Sequence, residues 1–421
     1  MRATFTMAAR YQVCAACQSP IRTGGTGLTT EQLLTDTQGR PYFQGTSLAG
    51  ALREYHRTAF GEEKTRRLFG DPNGAGHIVI SDGDFSGALA WETRPRLRID
   101  GRTGTADGRE KFNVAHLPVG TKLTFSVTWM GTEENTEELN QIEQALAALH
   151  CGYIRLGAQK ANGFGRVTLE VRKQCYRMAD ERDRTAWLEN RDASVPIVLP
   201  KVKQPGQITF ELQGHADSIL VKAGAAEWRE GRNVTVHIQE QGVPILPGSS
   251  VKGALRSRVA QIARLMGADG VEAQLFGRSS GDGDNGVAGR VIVDDVRLSK
   301  EQKREISRIR INRFTAGVMR QGLFTEEPVC SPVTCRLSAP ETLEHLCGYL
   351  VYALRDLGLG LYNLGSGGAV GRGYLRVETI RVTMPDGRSG VLRFDGQRRC
   401  TVEDAEGILR DLCGRREEGE R

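Results

Sequence analysis

Nine residues of this chain, Gly45-Thr46-Ser47-Leu48-Ala49-Gly50-Ala51-Leu52-Arg53, return later as Gly248-Ser249-Ser250-Val251-Lys252-Gly253-Ala254-Leu255-Arg256. Residues of these types at this spacing suit anion binding. Small side chains at the start of a helix leave backbone N–H groups accessible, and the helix dipole favours negative charge there. Ser47 or Ser250 is expected to cap its helix, while Arg53, Lys252 and Arg256 add charge. The other reading of each copy is a plain capped helix after a tight turn. A second copy, again followed by Arg, favours the phosphate reading.

A second pair of segments is rich in glycine: Gly157 to Arg166, with Lys160, Gly163, Gly165 and Arg166, and Gly365 to Tyr374, with Gly371, Arg372 and Gly373. Both stand between a helix and a strand, the reverse of the order a dinucleotide fingerprint or P-loop requires, and neither contains Gly-Lys-Ser/Thr. A nucleotide-hydrolysing site is not indicated. A glycine loop with these cations suits a polynucleotide backbone, and a tight connection is the alternative.

The elements that must position these segments are themselves doubled. Each unit reads as strand, loop, helix, strand, strand, helix, strand. In the first, Thr4–Cys17 is a strand, Ser47–Phe60 a helix, 77–82 and 122–128 strands, Thr136–His150 a helix and 166–171 a strand. In the second, 207–213 and 218–221 are strands, Ser249–Met266 a helix, 290–296 a strand, Glu341–Leu357 a helix and 374–382 a strand. Landmarks keep their order about 200 residues apart, including Leu68-Phe69-Gly70 with Leu275-Phe276-Gly277 and Arg98-Ile99-Asp100 with Arg310-Ile311-Asn312. This pattern predicts an α+β chain of two tandem ferredoxin-like domains with large insertions, over 1–194 and 207–382. A linker spans 195–206, and a C-terminal extension over 383–421 ends in a short charged helix.

Composition agrees with two ordinary cores: 421 residues, 39% of them hydrophobic. A net charge of +6 permits nucleic-acid binding without demanding it. Fifty-one glycines without low-complexity runs point to many tight turns and close backbone approaches. The nine cysteines form no disulfide ladder; Cys14-Ala15-Ala16-Cys17 lacks a second ligand pair and is read as small core residues on a strand. No run reaches 18 apolar residues, so a cytoplasmic protein without membrane contact is expected. Asp82, Asp294 and Asp295 at strand ends are read as caps or turn residues.

The order Pro41-Tyr42-Phe43-Gln44-Gly45-Thr46-Ser47 through Arg53, Leu68-Phe69-Gly70, Arg98-Ile99-Asp100-Gly101-Arg102-Thr103-Gly104 and Gly163-Phe164-Gly165-Arg166 resembles the RAMP superfamily of CRISPR-associated proteins. The second half resembles it more closely, through Pro244-Ile245-Leu246-Pro247-Gly248 to Arg256 and Arg310-Ile311-Asn312-Arg313-Phe314-Thr315-Ala316-Gly317. Within the superfamily the pattern is most similar to backbone subunits of type III effector complexes, here fused in tandem.

That resemblance implies modified RNA-recognition-motif domains lined along a CRISPR guide RNA. Ser47, Arg53, Ser249, Ser250, Lys252, Arg256, Gly163, Gly165, Gly371 and Gly373 would contact the guide, with Lys160, Arg166 and Arg372 beside them. It also implies partners: target RNA, further RAMP backbone subunits, a small subunit and a large polymerase-like subunit. β-Hairpin thumbs that kink the guide are placed at Trp91–Asp107 and Ser307–Leu323. In such subunits an Asp after the first strand supports cleavage of target RNA by a ribose 2′-OH, with a divalent metal (Mg or Mn). Here the family's position falls nearest Thr29 to Glu31 and near Arg232 or Asn233, and the acids within reach are Glu31, Asp36, Asp217, Glu227 and Glu230. Two alternatives stay open: a purely structural guide-binding subunit, which needs no cofactor, and an endoribonuclease that processes CRISPR RNA. Only His56, His215 and His237 lie near candidate loops for the latter.

Overall fold

The computed structural model describes residues 5–24, 29–87, 89–99, 106–202, 206–278, 286–299 and 302–414. Residues 100–105 of the first expected thumb and 415–421 of the expected C-terminal helix lie outside the described residues. Contacts divide the chain into two units, one of Met1–Arg94, Asn113–Lys160 and Phe164–Pro205, the other of Pro95–Phe112, Ala161–Gly163 and Gly206–Arg421.

The first half contains β1 (Met7–Cys17), α1 (Gly45–Phe60), α2 (Glu62–Phe69), β2 (Ile78–Ile80), β3 (Gly83–Ser86), β4 (Glu92–Ile99), β5 (Ala106–His116), β6 (Lys122–Gly131), α3 (Glu137–His150), β7 (Val167–Arg177) and α4 (Glu181–Leu188). β1 lies between β7 and β6, antiparallel to both, and β2 and β3 pair with the far side of β6. Odd-numbered β1 residues alternate inward, as a half-buried strand requires: Ala9, Tyr11, Val13, Ala15 and Cys17 join Leu48 and Leu52 of α1 and Ile142, Ala145, Leu146 and Leu149 of α3 in one core. Leu48, Leu52 and His56 form the buried stripe of α1, which stops at Gly61 with φ 89°. Cys17 is a core residue whose thiol burial pushes up to about 12, while Cys14, three residues earlier on the strand, is only half-buried.

The second half follows with β8 (Gln207–Ile219), β9 (Glu227–Arg229), β10 (Arg232–Val236), β11 (Val243–Leu246), α5 (Gly248–Leu265), α6 (Val271–Phe276), β12 (Ile292–Val293), β13 (Ile306–Ile311), β14 (Val318–Glu327), β15 (Val329–Pro340), α7 (Glu344–Gly358), β16 (Leu375–Thr383), β17 (Ser389–Phe394), β18 (Cys400–Glu403) and α8 (Ile408–Gly414). Its sheet runs β12-β15-β8-β16-β17-β18. Val251, Leu255 and Val259 of α5 and Leu346, Leu350 and Leu354 of α7 pack on Phe210, Leu212, Val333, Leu337 and Ile380.

Both sheets are mixed with helices in an α+β arrangement, and several expectations change in detail. The two strands predicted within 207–221 are one, β8, broken only in register. The long strand β15, a direct neighbour of β8, was not predicted at all. Val195–Pro196, inside the expected linker, pairs with Arg172 and Lys173, and Ile197, Leu199 and Val202 pack on the first core. The helix expected over 403–421 is shorter: Glu403 ends β18, and α8 buries Ile408, Leu409 and Leu412 in the second core. No helix among the described residues is long and apolar enough to cross a membrane.

Candidate nucleic-acid interface

The two copies of the helix-start phrase are built alike. Gly45 opens α1 and Gly248 opens α5, and a Cβ on either would run into backbone of the adjoining strand, at Ile80–Ser81 in the first and Val293–Asp294 in the second. Glycine is demanded there by close approach. Neither serine caps: the N-cap residues are Gln44 and Pro247, with no side-chain cap, and Ser47 and Ser250 sit inside the first turn with their N–H groups bonded to the Gln44 and Pro247 carbonyls. The cap comes from a strand end instead. Asp82 Oδ1 accepts from Gly45 N–H at 2.7 Å, and Asp295 Oδ1 accepts from Gly248 N–H at 2.7 Å. This gives a definite form to the structural role expected of Asp82 and Asp295. A carboxylate thus already meets each helix dipole, so attraction for a phosphate falls to the cations along the helix.

Those cations differ in availability. Arg53 is half-buried, Arg256 and Lys160 are exposed, and neither Arg53 nor Arg256 makes a hydrogen bond or ion pair among the described residues. Lys160 lies near Glu54 of α1 and helps hold that carboxyl below its usual range, after the larger effect of Arg57. Lys160 of the glycine loop is thus within electrostatic reach of α1. In the second unit, Lys252 is 9% exposed and donates to the Ala161 carbonyl at 3.4 Å. Burial, then Arg256 and Arg96, bring its ammonium down to about 8. Ser249 and Ser250 are half-buried, whereas Thr46 and Ser47 are exposed.

The glycine loops repeat each other bond for bond. Gly165 N–H donates to Pro20 O at 2.8 Å and Gly373 N–H to Ser218 O at 2.7 Å; Leu156 N–H donates to Gly165 O and Leu364 N–H to Gly373 O, both at 2.9 Å; Ala158 N–H donates to Arg22 O at 3.0 Å and Ser366 N–H to Leu220 O at 2.7 Å. Gly165 and Gly373 have φ of 83° and 75°, and a Cβ on either would strike the carbonyl of Leu156 or Leu364. Each loop is a clasp that ties the start of the last strand to the tail of the first. Gly163, at φ 94°, lies against Asp295, whereas Gly371, at φ 83°, faces open space. Arg166 donates its N–H to Ser19 Oγ at 2.9 Å and lays its side chain over Gly152. Arg372 is 5% exposed and ion-paired with Glu326 of β14, which also binds Arg308 of β13. Burial works against the Glu326 charge, but Arg308 and Arg372 hold its carboxyl below the usual range.

The five acids are each committed singly. Glu31 accepts from Asn113 Nδ2 at 2.9 Å. Asp36 closes a turn by accepting from the Gln38 and Arg40 N–H groups at 2.8 and 2.9 Å, and the Arg40 amide foremost holds its carboxyl below the usual range. Asp217 is bonded to Arg376 at 2.5 Å and His215 at 3.1 Å. Glu227 pairs with Arg229 at 2.5 Å, and Glu230, at φ 48° in the turn between β9 and β10, lies 3.8 Å from Arg232. Mg or Mn needs several oxygens converging on one point. Among the described residues these acids do not converge so, and the only group of three metal-ligating side chains, His215, Asp217 and Cys330, contains a single carboxylate. Of the histidines, His56 bonds Thr65 and Gln141, and His237 bonds main-chain atoms of Ile219, Val221 and Ile245, both fully buried.

Sequence reasoning missed Arg22. Its guanidinium, buried and so lowered from its ordinary pKa, donates to the carbonyls of Thr29, Thr30 and Ala115 and fixes the loop that carries Glu31. It also missed the anchors of the two hairpins, β4–β5 and β13–β14. Arg94 of β4 stacks on Phe164 at 4.8 Å and His116 of β5 packs on the same ring at 5.4 Å, while Glu326 of β14 holds Arg372. Lone charges in Arg-rich strands give no signal of burial.

Compared with models of known families, the chain matches one described as the RAMP superfamily, and does so twice, over residues 15–168 and 221–376. None of the curated proteins compared with it matches.

Proposed function

Because the chain belongs to the RAMP superfamily, whose members have CRISPR-associated RNA-binding roles, we propose that it is a backbone subunit of a type III effector ribonucleoprotein that holds guide RNA with two fused units. The observation that carries the reading is the pairing of two equivalent helix starts, each clamped by an Asp and each presenting an arginine, Arg53 or Arg256, with no partner among the described residues. Two such cations at matching places suit phosphates on two stretches of one guide strand. The strand orders β7-β1-β6-β3 and β16-β8-β15-β12, each with the first strand between the last and the third, support reading each unit as a modified RNA-recognition motif. We read the hairpins β4–β5 and β13–β14 as the guide-kinking thumbs, and Arg-rich β13 suits a polyanion.

In this reading the partners are guide and target RNA, further RAMP backbone subunits, a small subunit and the large polymerase-like subunit, in the cytoplasm. The acids favour a subunit that holds target RNA over one that cuts it, since each is engaged with an arginine, an amide or a backbone turn. The processing-enzyme alternative is weakened by His56 and His237, whose ring nitrogens are already bonded.

The test is purification with its natural partners. Small RNA of repeat-spacer origin is expected to co-purify; its absence overturns the proposal. Alanine substitution of Glu31, Asp36, Asp217, Glu227 and Glu230, one at a time, is expected to leave any regularly spaced target cuts intact, and loss of one cut on a single substitution would assign catalysis to that unit.

A further inference from the structure

On the face of the second sheet turned away from α5 and α7, three side chains with complementary chemistry meet. His215 and Asp217, two apart on β8, share that face, and Cys330 of β15 lies across from them. The register of β8 against β15 breaks between Ala216 and Ile219, so that Asp217 and Ser218 together oppose the single residue Cys330, a β-bulge that brings the three into reach. A second register break, at Gln213 and Gly214 on the other edge, brackets His215; a Cβ at Gly214 would strike the Arg376 carbonyl.

His215 Nδ1 lies 3.1 Å from Asp217 Oδ1, and its Nε2 lies 3.9 Å from Cys330 Sγ. Arg376 of β16 holds the same Asp217 oxygen at 2.5 Å and so fixes the carboxylate. With Nδ1–H donated to Asp217, the Nε2 lone pair faces the thiol. The ligand atoms of the three lie within 4.8 Å of one another, but the Arg376 charge on Asp217 opposes a cation, and one imidazole nitrogen faces each of its two neighbours. Nucleophile, base and an acid that orients the base are instead in line.

We propose that Cys330 is a histidine-activated nucleophilic thiol and the chain's site of modification by small anionic disulfides, with Arg376, on the same sheet face across β8, adding positive charge. His215 Nε2 takes the Sγ proton, and the sulfur attacks one sulfur of the disulfide. The S–S bond breaks as the Cys330 mixed disulfide forms, and the departing thiolate recovers the proton from the imidazolium.

The probe is 5,5′-dithiobis(2-nitrobenzoate) on the full chain, with labelled peptides mapped by mass spectrometry over time. Although Cys330 is half-buried, it is expected to label about tenfold faster than the exposed Cys151 and Cys175. His215→Asn and Asp217→Asn are expected to slow Cys330 about tenfold while leaving Cys151 and Cys175 unchanged. Labelling of Cys330 no faster than that of Cys151, or an unchanged rate in both variants, overturns the proposal. Should a variant unfold, the buried Cys335 and Cys347 would label too, and the ranking of cysteines in the unsubstituted chain decides by itself.

Discussion

Phe164 and Arg372 occupy the same place in the two glycine clasps, between the paired glycines Gly163 and Gly165 in one and Gly371 and Gly373 in the other, and both are buried. Each anchors a strand of the neighbouring hairpin to its clasp. The first does so with an aromatic ring under Arg94 and His116, the second with a guanidinium on Glu326. The position is thus selected for anchoring rather than for charge. An arginine in a glycine-rich loop, read from sequence as a hand for RNA, is here a tie within the protein. The outward cations are Arg53, Lys160 and Arg256.

The largest test of this contrast is Phe164→Ala, which removes a fully buried ring and should cost the first unit about 3–5 kcal/mol in denaturant unfolding. Arg372→Ala should cost the second unit less, about 2 kcal/mol, because Glu326 keeps Arg308. A loss of RNA affinity with unchanged stability in Arg372→Ala would reverse the comparison. The two anchors should also part on acidification. With the Glu326 carboxyl lowered in the folded state, its contribution is complete above the ordinary glutamate range and fades as pH falls through the folded value, which Arg372→Ala should blunt and Phe164→Ala should not.

Lys252 offers a smaller test, since Ala49 fills its place in the first copy. Its ammonium is lowered to about 8 in the folded state, so the penalty of burying charge is full below that pH and shrinks as pH rises toward the ordinary lysine value. Lys252→Met should therefore stabilise the second unit by about 1 kcal/mol at pH 7, and the gain should vanish at higher pH in thermal melts. The smallest effects belong to Arg53→Ala and Arg256→Ala. Each should leave stability unchanged and lower the slope of log affinity for RNA against log salt by about 1, and unequal slopes would show that one unit grips harder.

The first core was legible because Thr4–Cys17 and Ser47–Phe60 alternate with their proper periods. Strand β15 was not, although Val329, Ser331, Val333, Cys335, Leu337 and Ala339 alternate inward, because Pro332 and Pro340 argue against a ladder. Pro332 is tolerated where the outer edge of β15 has no strand paired to it among the described residues, between the pairings of Gln302–Lys303 and Ile292–Val293. At the candidate interface, the doubled phrase and its cations could be read directly. The Asp caps, the Arg22 brace and the Glu326 anchor could not, because each joins residues far apart in sequence, from Gly45 to Asp82 and from Glu326 to Arg372.

The clasp between Gly165 and Pro20 has a consequence for synthesis on the ribosome. The first strand has no completed sheet to join until β6 and β7 exist, its pairing running from Cys17 with Val167 to Met7 with Arg177. Contacts this distant slow folding and leave one edge of β1 without its partner until β6 is made and the other until β7 is made. A chain arrested just before β7 should therefore be the form most open to proteases and chaperones, and release of residues through Arg177 should close that window while the second unit is still being made.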